Sequence, residues 1–174
     1  MNAFPPEDIR SFLQLSAGEW LALRSLLGPD GSGPATPPTP EPAAEPGEDA
    51  QSWHQSDRGE LKVAFIEPQD ASECGGLQVA LPGGSSLTLR FCSDGTVQLR
   101  ERRGRWQLAA DGSLELEMED GGRRVNERIW FSKPNLRLRC TLEQSLDGRP
   151  GRASFSSEIR RVSRPPEASG PPAA

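Results

Sequence analysis

Alternation of apolar and charged residues is the dominant pattern of the C-terminal third of the chain. Two strand-like runs, NERIWF and NLRLR, lie within Asn126–Arg139 and are separated by Ser-Lys-Pro. Residues two apart on a strand share a face, so Glu127 lies with Ile129 and Arg137 lies with Arg139. An ordinary hairpin turns such charges to water, whereas a ligand-binding barrel can turn them inward. Alternation alone leaves both arrangements open and favours the exposed one.

Short alternating runs separated by turn signals continue along the chain from residue 51. Asp-Gly and Gly-Gly pairs, typical of β-hairpins, occur at 94–95, 111–112, 121–122 and 147–148, and Arg103-Gly104 predicts another turn. The pattern predicts strands at Trp53–Asp57, Glu60–Ile66, Leu77–Leu81, Ser86–Cys92, Thr96–Glu101, Arg105–Ala109, Ser113–Glu119, Val125–Phe131, Asn135–Glu143 and Ala153–Val162. No long helix interrupts them, which excludes a parallel sheet and indicates an antiparallel meander, closed as a barrel or folded as a sandwich.

The N-terminal part of the chain is of a different kind. Pro5–Leu15 predicts a short helix with an apolar stripe, and Trp20–Leu27 fits either a helix or a strand. The stretch 28–50 contains seven of the seventeen prolines and predicts a disordered insertion, as 165–174 predicts a disordered tail. We therefore expect one domain, made of a helix and first strand in 1–27 and a barrel body in 51–164.

Charge and composition narrow the function classes. The 174 residues carry a net charge of −5 and the sequence pI is about 5.0, which argues against a nucleic-acid-binding protein. Arginine outnumbers lysine eighteen to two. This bias suits the recognition of carboxylates by planar guanidinium groups, and the codon usage of a GC-rich genome explains it equally well.

Cysteine and histidine are too few for the common metal and nucleophile sites. Cys74, Cys92 and Cys140 form no CxxC pair, and His54 is the one histidine, beside the predicted disordered segment. We therefore predict no metal site and no Ser/His/Asp or Cys/His catalytic arrangement, and we expect a reduced, cytoplasmic compartment. No apolar run approaches the roughly 20 residues of a membrane span.

The charged alternation is the remaining candidate for chemistry. Arg137 and Arg139 share one strand face, Glu158 and Arg160 share another, and Glu127 precedes both. If these side chains converge inside a barrel, they form a mixed Arg/Glu cluster whose members must pair with each other or with a charged ligand. The alternative is a set of exposed strand faces joined by cross-strand ion pairs.

These same residues resemble the signature of the CpcS/CpeS-type phycobilin lyases, which attach linear tetrapyrroles to phycobiliproteins in cyanobacteria and some plastids. The resemblance lies in ERIWFSKPNLRLRCT, in ASFSSEIR and in the N-terminal SAGEWLALR, and covers residues 16–24 and 126–161. It implies an all-β fold, a lipocalin- or fatty-acid-binding-protein-like ten-stranded antiparallel β-barrel with an N-terminal helix. It also implies that the charged face points inward.

The resemblance further implies an activity and a set of site residues. A cysteine thiol of a phycobiliprotein subunit would add to the ethylidene group on ring A of the phycobilin, giving a thioether. Protonation of the tetrapyrrole assists this addition, and a buried glutamate could supply the proton. Carried over by position, the residues that would hold the propionates are Arg24, Arg137 and Arg139. Glu127 and Glu158 would contact the pyrrole nitrogens and transfer the proton. Trp20 and Arg160 would support the site.

The expected ligand is phycocyanobilin or phycoerythrobilin as a bound substrate, with no prosthetic group. The expected macromolecular partners are an apo-phycobiliprotein subunit and a second copy or a paralogous lyase subunit, since Leu136 and Leu138 would face outward beside the inward arginines. This chain lacks the family's histidine after Arg24, unless His54 replaces it, and lacks tryptophan in Gly75–Leu81. The alternatives are a non-catalytic bilin-binding partner of a heteromeric lyase, and a barrel for another hydrophobic acid such as a fatty acid.

Overall fold

Ten antiparallel strands close into a barrel in the computed structural model of the protein, which describes residues 4–28, 54–81, 84–149 and 151–162. Each strand pairs with its neighbours in sequence, and the last strand pairs with the first. The elements are α1 (Ile9–Ser16), β1 (Gly18–Leu27), β2 (His54–Ile66), β3 (Glu73–Ala80), β4 (Ser86–Cys92), β5 (Thr96–Leu99), β6 (Arg102–Leu108), β7 (Leu114–Asp120), β8 (Arg123–Lys133), β9 (Leu136–Ser145) and β10 (Ala153–Arg160). The predicted fold class is confirmed: all-β, ten-stranded, with an N-terminal helix.

The strand bounds correct three details of the prediction. The strands predicted at Trp53–Asp57 and Glu60–Ile66 join, within the described residues, in one continuous strand, β2, which begins at His54. The turn predicted at Arg103-Gly104 is wrong: Gly104 lies inside β6, where any side chain would collide with the backbone carbonyl of Glu117. The chain instead reverses at Arg100, which adopts a φ of 57°.

The remaining predictions for the N-terminal part have mixed outcomes. Of the two options for Trp20–Leu27, the strand is the one observed, within β1. The helix begins at Ile9, four residues after the predicted start. The predicted disordered stretches, 28–50 and 165–174, lie outside the described residues apart from Gly28, so the domain bounds remain predictions.

Helix α1 closes one end of the barrel, which we call the capped end. Asp8 precedes the helix and accepts hydrogen bonds from the backbone N–H and the hydroxyl of Ser11, at 2.9 and 2.7 Å. These bonds lower the pKa of the Asp8 carboxyl. Ile9, Phe12 and Leu13 form the buried face of the helix, so the amphipathic pattern of α1 seals the core at this end.

The other end, where β1 ends and β2 begins, has no helix across it among the described residues, and we call it the open end. The β3–β4, β5–β6, β7–β8 and β9–β10 connections lie there, because consecutive strands run in opposite directions. Aromatic side chains pack together near the capped end, where the ring centroids of Phe12 and Phe131 are 5.2 Å apart and Trp20 is fully buried. No helix within the described ranges is long and apolar enough to cross a membrane.

Candidate ligand-binding site inside the barrel

The barrel encloses a cavity of about 430 Å³ with two chemically different sides. The aliphatic wall comes from β2, β3, β4 and β7 and includes Leu61, Val63, Leu77, Val79, Leu89 and Met118. The polar wall comes from β1, β8, β9 and β10 and includes Arg24, Glu127, Arg137, Arg139, Ser156 and Glu158. A cavity of this kind suits a ligand that is apolar along one side and charged along the other.

A buried ion pair lies at the deepest point of the polar wall. Arg137 on β9 is opposite Glu158 on β10, and the Arg137 Nε donates to Glu158 Oε2 at 2.5 Å. Both side chains are only 2% exposed. Burial lowers the pKa of Arg137 to about 10, although the Glu158 carboxylate favours the charged form. Each charge is therefore held in the interior by the other.

Trp20 connects this ion pair to the capping helix. The guanidinium of Arg137 lies 4.6 Å from the centre of the Trp20 ring, and that of Arg160 lies 4.2 Å from it. The indole N–H donates to the carbonyl of Ser16 at 3.0 Å, and Arg160 donates to the carbonyls of Leu15 and Ala17. The end of α1, the indole and the ion pair thus form one connected structure.

Arg139 lies one pair of residues nearer the open end and has an unmet donor. Its Nη1 donates to Glu127 Oε1 at 3.0 Å, and the same carboxylate oxygen accepts from the Thr141 hydroxyl at 3.2 Å. Its Nε is 3.4 Å from Glu158 Oε1 but has no hydrogen-bond partner, although it is buried. Burial by itself lowers the pKa of Arg139, but Glu127 and Glu158 more than offset this and raise it, so the group stays charged.

The open end carries a second arginine and a carboxylate. Arg24 on β1 is exposed, and its Nη2 donates to the Ser154 hydroxyl over 3.4 Å. Asp57 on β2 is its cross-strand neighbour and also lines the cavity. The sequence interpretation missed Asp57, although its alternation with Gly59, Leu61 and Val63 places it on the inner face of β2.

The structure thus turns the charged alternation inward and unites four of the five expected site residues. Glu127, Arg137, Arg139 and Glu158 form one cluster, while Arg24 lies apart from it at the open end. Trp20 and Arg160 pack behind the cluster. The side chain of His54 lies outside the described part of the chain.

The part of the cavity wall formed by β3 is aliphatic, in keeping with the absence of tryptophan from Gly75–Leu81. Leu77 and Val79 on β3 occupy the wall, and the aromatic side chains among the described lining residues are Phe12 and Phe91, both near the capped end. A flat ligand would therefore rest on aliphatic side chains over most of its length.

A closed antiparallel barrel with a charged inner wall defines a class of protein, the small-molecule-binding β-barrels. The model of the CpeS-like protein family matches residues 87–161. Chromophore lyase CpcS/CpeS 1 of Paulinella chromatophora is 39% identical over 165 residues, which is 94% of each chain. This likeness over nearly the full length shows that the chain belongs to the CpcS/CpeS chromophore lyase family.

Further relatives agree with this assignment over shorter stretches or in fold alone. Chromophore lyase CpcS/CpeS 1 of Synechocystis sp. is 42% identical over 60 residues, or 34% of this chain and 32% of the relative. The solved S-type phycobiliprotein lyase CPES of Guillardia theta has the same fold, with a TM-score of 0.64 over 90% of this chain and 94% of that one, at 19% identity.

Proposed function

We propose that the protein is a chromophore lyase that binds a phycobilin inside the barrel and attaches it through a thioether to a cysteine of a phycobiliprotein subunit. The observation that carries the proposal is the two-sided cavity, with paired carboxylates and guanidinium groups along one wall and aliphatic side chains along the other. A linear tetrapyrrole matches this division, since its rings are apolar while its propionates and pyrrole N–H groups are polar.

Arg139 and Arg24 are the arginines best able to hold propionates. Arg139 has an unmet Nε–H in the cavity wall, and Arg24 is committed only to one long bond with Ser154. A carboxylate would accept charge-assisted hydrogen bonds from both. Arg137 is already taken up by Glu158. Its role in this proposal is therefore to position Glu158 rather than to clamp a propionate.

Glu158 and Glu127 are the groups proposed to meet the pyrrole nitrogens. Each carboxylate is held by an arginine from β9, and Glu127 also accepts from Thr141. In the proposed step the S–H bond of the acceptor thiol breaks and its sulfur bonds to the ring A ethylidene carbon, whose double bond opens. One of these carboxylates accepts the thiol proton and passes it to the tetrapyrrole, so that the thiol adds across the double bond with no leaving group. A fixed carboxyl group at hydrogen-bond distance is what general acid–base catalysis requires.

The nucleophile in this proposal belongs to the acceptor protein. None of the cavity-lining residues in the described part of the chain is a cysteine. Cys74, Cys92 and Cys140 are free, and burial raises the pKa of the Cys74 and Cys92 thiols, which makes them poorer nucleophiles. The three free thiols are also the basis for placing the protein in the cytoplasm.

The test begins with the purified protein and two pigments, phycocyanobilin and phycoerythrobilin, titrated while pigment absorbance is recorded. We expect an absorbance change with at least one pigment, followed by covalent transfer when an apo-phycobiliprotein subunit is added. Glu158→Gln should slow transfer strongly, whereas Glu115→Gln on the exposed face of β7 should not. An absorbance change that a fatty acid abolishes, with no transfer to any subunit, would favour the fatty-acid barrel instead.

The names of the relatives favour a lyase over a pigment carrier, and the experiment separates these two as well. Pigment binding without transfer, followed by transfer once a paralogous subunit is added, would identify the chain as the non-catalytic partner of a heteromeric enzyme. Absence of any pigment signal would overturn both readings.

A further inference from the structure

Asp57 is a carboxylate on the inner wall of the barrel to which the proposed function gives no role. It is one of three carboxylates that line the cavity among the described residues, the others being Glu127 and Glu158. Both glutamates already form ion pairs with arginines of β9. Asp57 is exposed and makes no hydrogen bond or ion pair with any residue that the structure describes. Its two oxygens are therefore available to accept hydrogen bonds from a ligand.

A row of polar side chains crosses four strands at the level of Asp57. Asp57 on β2 is opposite Arg24 on β1, which is in turn opposite Ser156 on β10. Ser156 is opposite Arg139 on β9, and all four side chains line the cavity. The two arginines and the serine can donate hydrogen bonds, whereas a carboxylate only accepts them. The row thus offers donors that suit propionates and ends, on β2, in an acceptor that a propionate would avoid.

The barrel wall beside Asp57 lacks a strand on one side. β3 pairs with β2 as far as Lys62, where β3 ends at Ala80. Towards the open end β2 continues to His54, and among the described strands its partner there is β1 alone. Asp57 therefore lies where the described strands leave the side of the barrel open, next to the entrance. The opposite end is closed by α1.

We propose that Asp57 binds the substrate: its carboxylate accepts the N–H of ring A and holds that ring at the entrance. The inference rests on the proposed function. A carboxylate repels the propionates, so the ligand groups that it can bind are the ring N–H donors. The acceptor sulfur must reach the ethylidene carbon of ring A from the open end, which places this ring beside Asp57.

The position of Glu158 agrees with this assignment. Glu158 is opposite Ala22, and Asp57 is two residues from the position on β2 that is opposite Ala22. Two strand spacings and two residues of rise separate the Cα atoms of the two carboxylates by about 12 Å. Glu158 would therefore meet a ring deeper in the barrel while Asp57 meets ring A.

The first test is an absorbance titration of the full chain carrying Asp57→Ala with phycocyanobilin and phycoerythrobilin. An exposed side chain without a partner contributes little to stability, so the barrel should fold. We expect the affinity for the pigment to fall about tenfold, since the lost hydrogen bond has a charged acceptor. The matched control is Glu60→Ala on the outer face of the same strand, which also removes one carboxylate and should leave the affinity unchanged.

A second test changes the pigment at the nitrogen that Asp57 is proposed to contact. Methylation of the ring A nitrogen removes the N–H and should weaken binding to the unsubstituted protein about tenfold. Asp57→Ala should bind the methylated and parent pigments with nearly equal affinity, because the hydrogen bond is already absent and the methyl group has space. An equal loss in both proteins would overturn the inference.

Three further outcomes would count against the inference. If Asp57→Ala causes no additional loss of affinity in an Arg24→Gln background, Asp57 acts by positioning Arg24 and does not contact the pigment. Unchanged pigment affinity with a raised KM for the apo-phycobiliprotein subunit would assign Asp57 to the acceptor instead. Failure of the unsubstituted protein to bind either pigment would overturn the proposed function, and the inference with it, whereas normal binding in both proteins would overturn the inference alone.

Discussion

The two walls of the cavity show how one sequence pattern gives two opposite arrangements. In β3 and β4, alternation places Leu77, Val79 and Leu89 inside, as in any half-buried sheet. In β9 and β10 the same period places Arg137 and Glu158 inside and Leu138 and Ile159 outside. The aliphatic wall is stabilised by removing apolar surface from water, which needs no specific partner.

The polar wall is stabilised differently, because each buried charge depends on specific partners of opposite charge. Arg137 depends on Glu158, and Arg139 depends on Glu127 and Glu158. Loss of an aliphatic side chain leaves a space, whereas loss of one charged partner leaves an uncompensated charge. Substitutions should therefore behave differently on the two walls, and this is the basis of the following predictions.

The largest effect is expected from Arg137→Met. It removes the hydrogen-bonded partner of the buried Glu158 carboxylate and leaves only the 3.4 Å ion-pair contact with Arg139, so the free energy of unfolding in urea should fall by about 3–5 kcal/mol. The double variant Arg137→Met with Glu158→Leu should recover most of that loss, because the charge is removed together with its partner. Equal instability of the single and double variants would contradict the dependence on a pair.

A smaller loss of stability, which a second substitution does not reverse, is expected on the aliphatic wall. Leu77→Ala should lower the free energy of unfolding by about 2–4 kcal/mol, through lost apolar burial and an enlarged cavity. Adding Leu89→Ala at the paired position on β4 should lower it further. Urea unfolding of the two single variants and the double variant measures this. A double variant that is more stable than either single variant would show that the two walls respond to substitution in the same way.

Pigment affinity should respond mainly to the polar wall. Arg139→Gln removes a charged donor, and hydrogen bonds to charged groups contribute about 1.5–3 kcal/mol, so affinity should fall about tenfold or more. Arg105→Gln, on the outside of β6, is the control. Absorbance titration of each variant with phycocyanobilin and phycoerythrobilin provides the measurement, and equal affinities in both variants would remove Arg139 from the site.

A substitution on the aliphatic wall should be able to raise the affinity for the pigment. Leu89→Phe places an aromatic ring against the ligand, and ring contacts add about 0.5–1.5 kcal/mol beyond area burial, which is a few-fold in affinity. Leu87→Phe, one position from the β4–β3 turn at the open end, tests the same change nearer the entrance. Weaker binding in both variants would show that the wall already fits its ligand closely.

The smallest effect is expected outside both walls, at the start of the capping helix. Asp8→Ala removes the acceptor for Ser11 and should cost about 1 kcal/mol of stability at neutral pH. Because the folded-state pKa of Asp8 lies below its ordinary value of 3.8, its contribution is complete above that pH and is lost as the pH falls through the folded-state pKa. Thermal unfolding of wild type and variant should therefore converge in strong acid; a constant difference would exclude the carboxylate as its cause.

The sequence predicts the fold well because its hairpins depend on local chemistry. Asp94-Gly95 and Asp111-Gly112 have turn signals that act within a few residues, and the glycines take the positive φ that such turns require. Gly104 misleads because its missing side chain serves close approach to Glu117 across the sheet rather than a turn. That contact joins distant residues and leaves no local mark.

The candidate site is less predictable from the sequence, because the residues on each of the two faces of a strand repeat with the same period of two. Nothing in NLRLR itself shows whether Arg137 or Leu138 is inside, and the family resemblance decided that question. Asp57 was missed because it stands alone in a run of mixed residues. The different roles proposed for Arg137 and Arg139 depend on which residues lie opposite them on the neighbouring strands, and only the register shows this.

The buried Nε–H of Arg139 has an energetic consequence for the ligand-free protein. A buried donor without an acceptor costs about 1–3 kcal/mol, and the Nε–H of Arg139 makes no hydrogen bond within the described part of the protein. A ligand oxygen placed there would remove this cost, so part of the apparent affinity would come from relief of strain in the receptor rather than from a favourable contact alone.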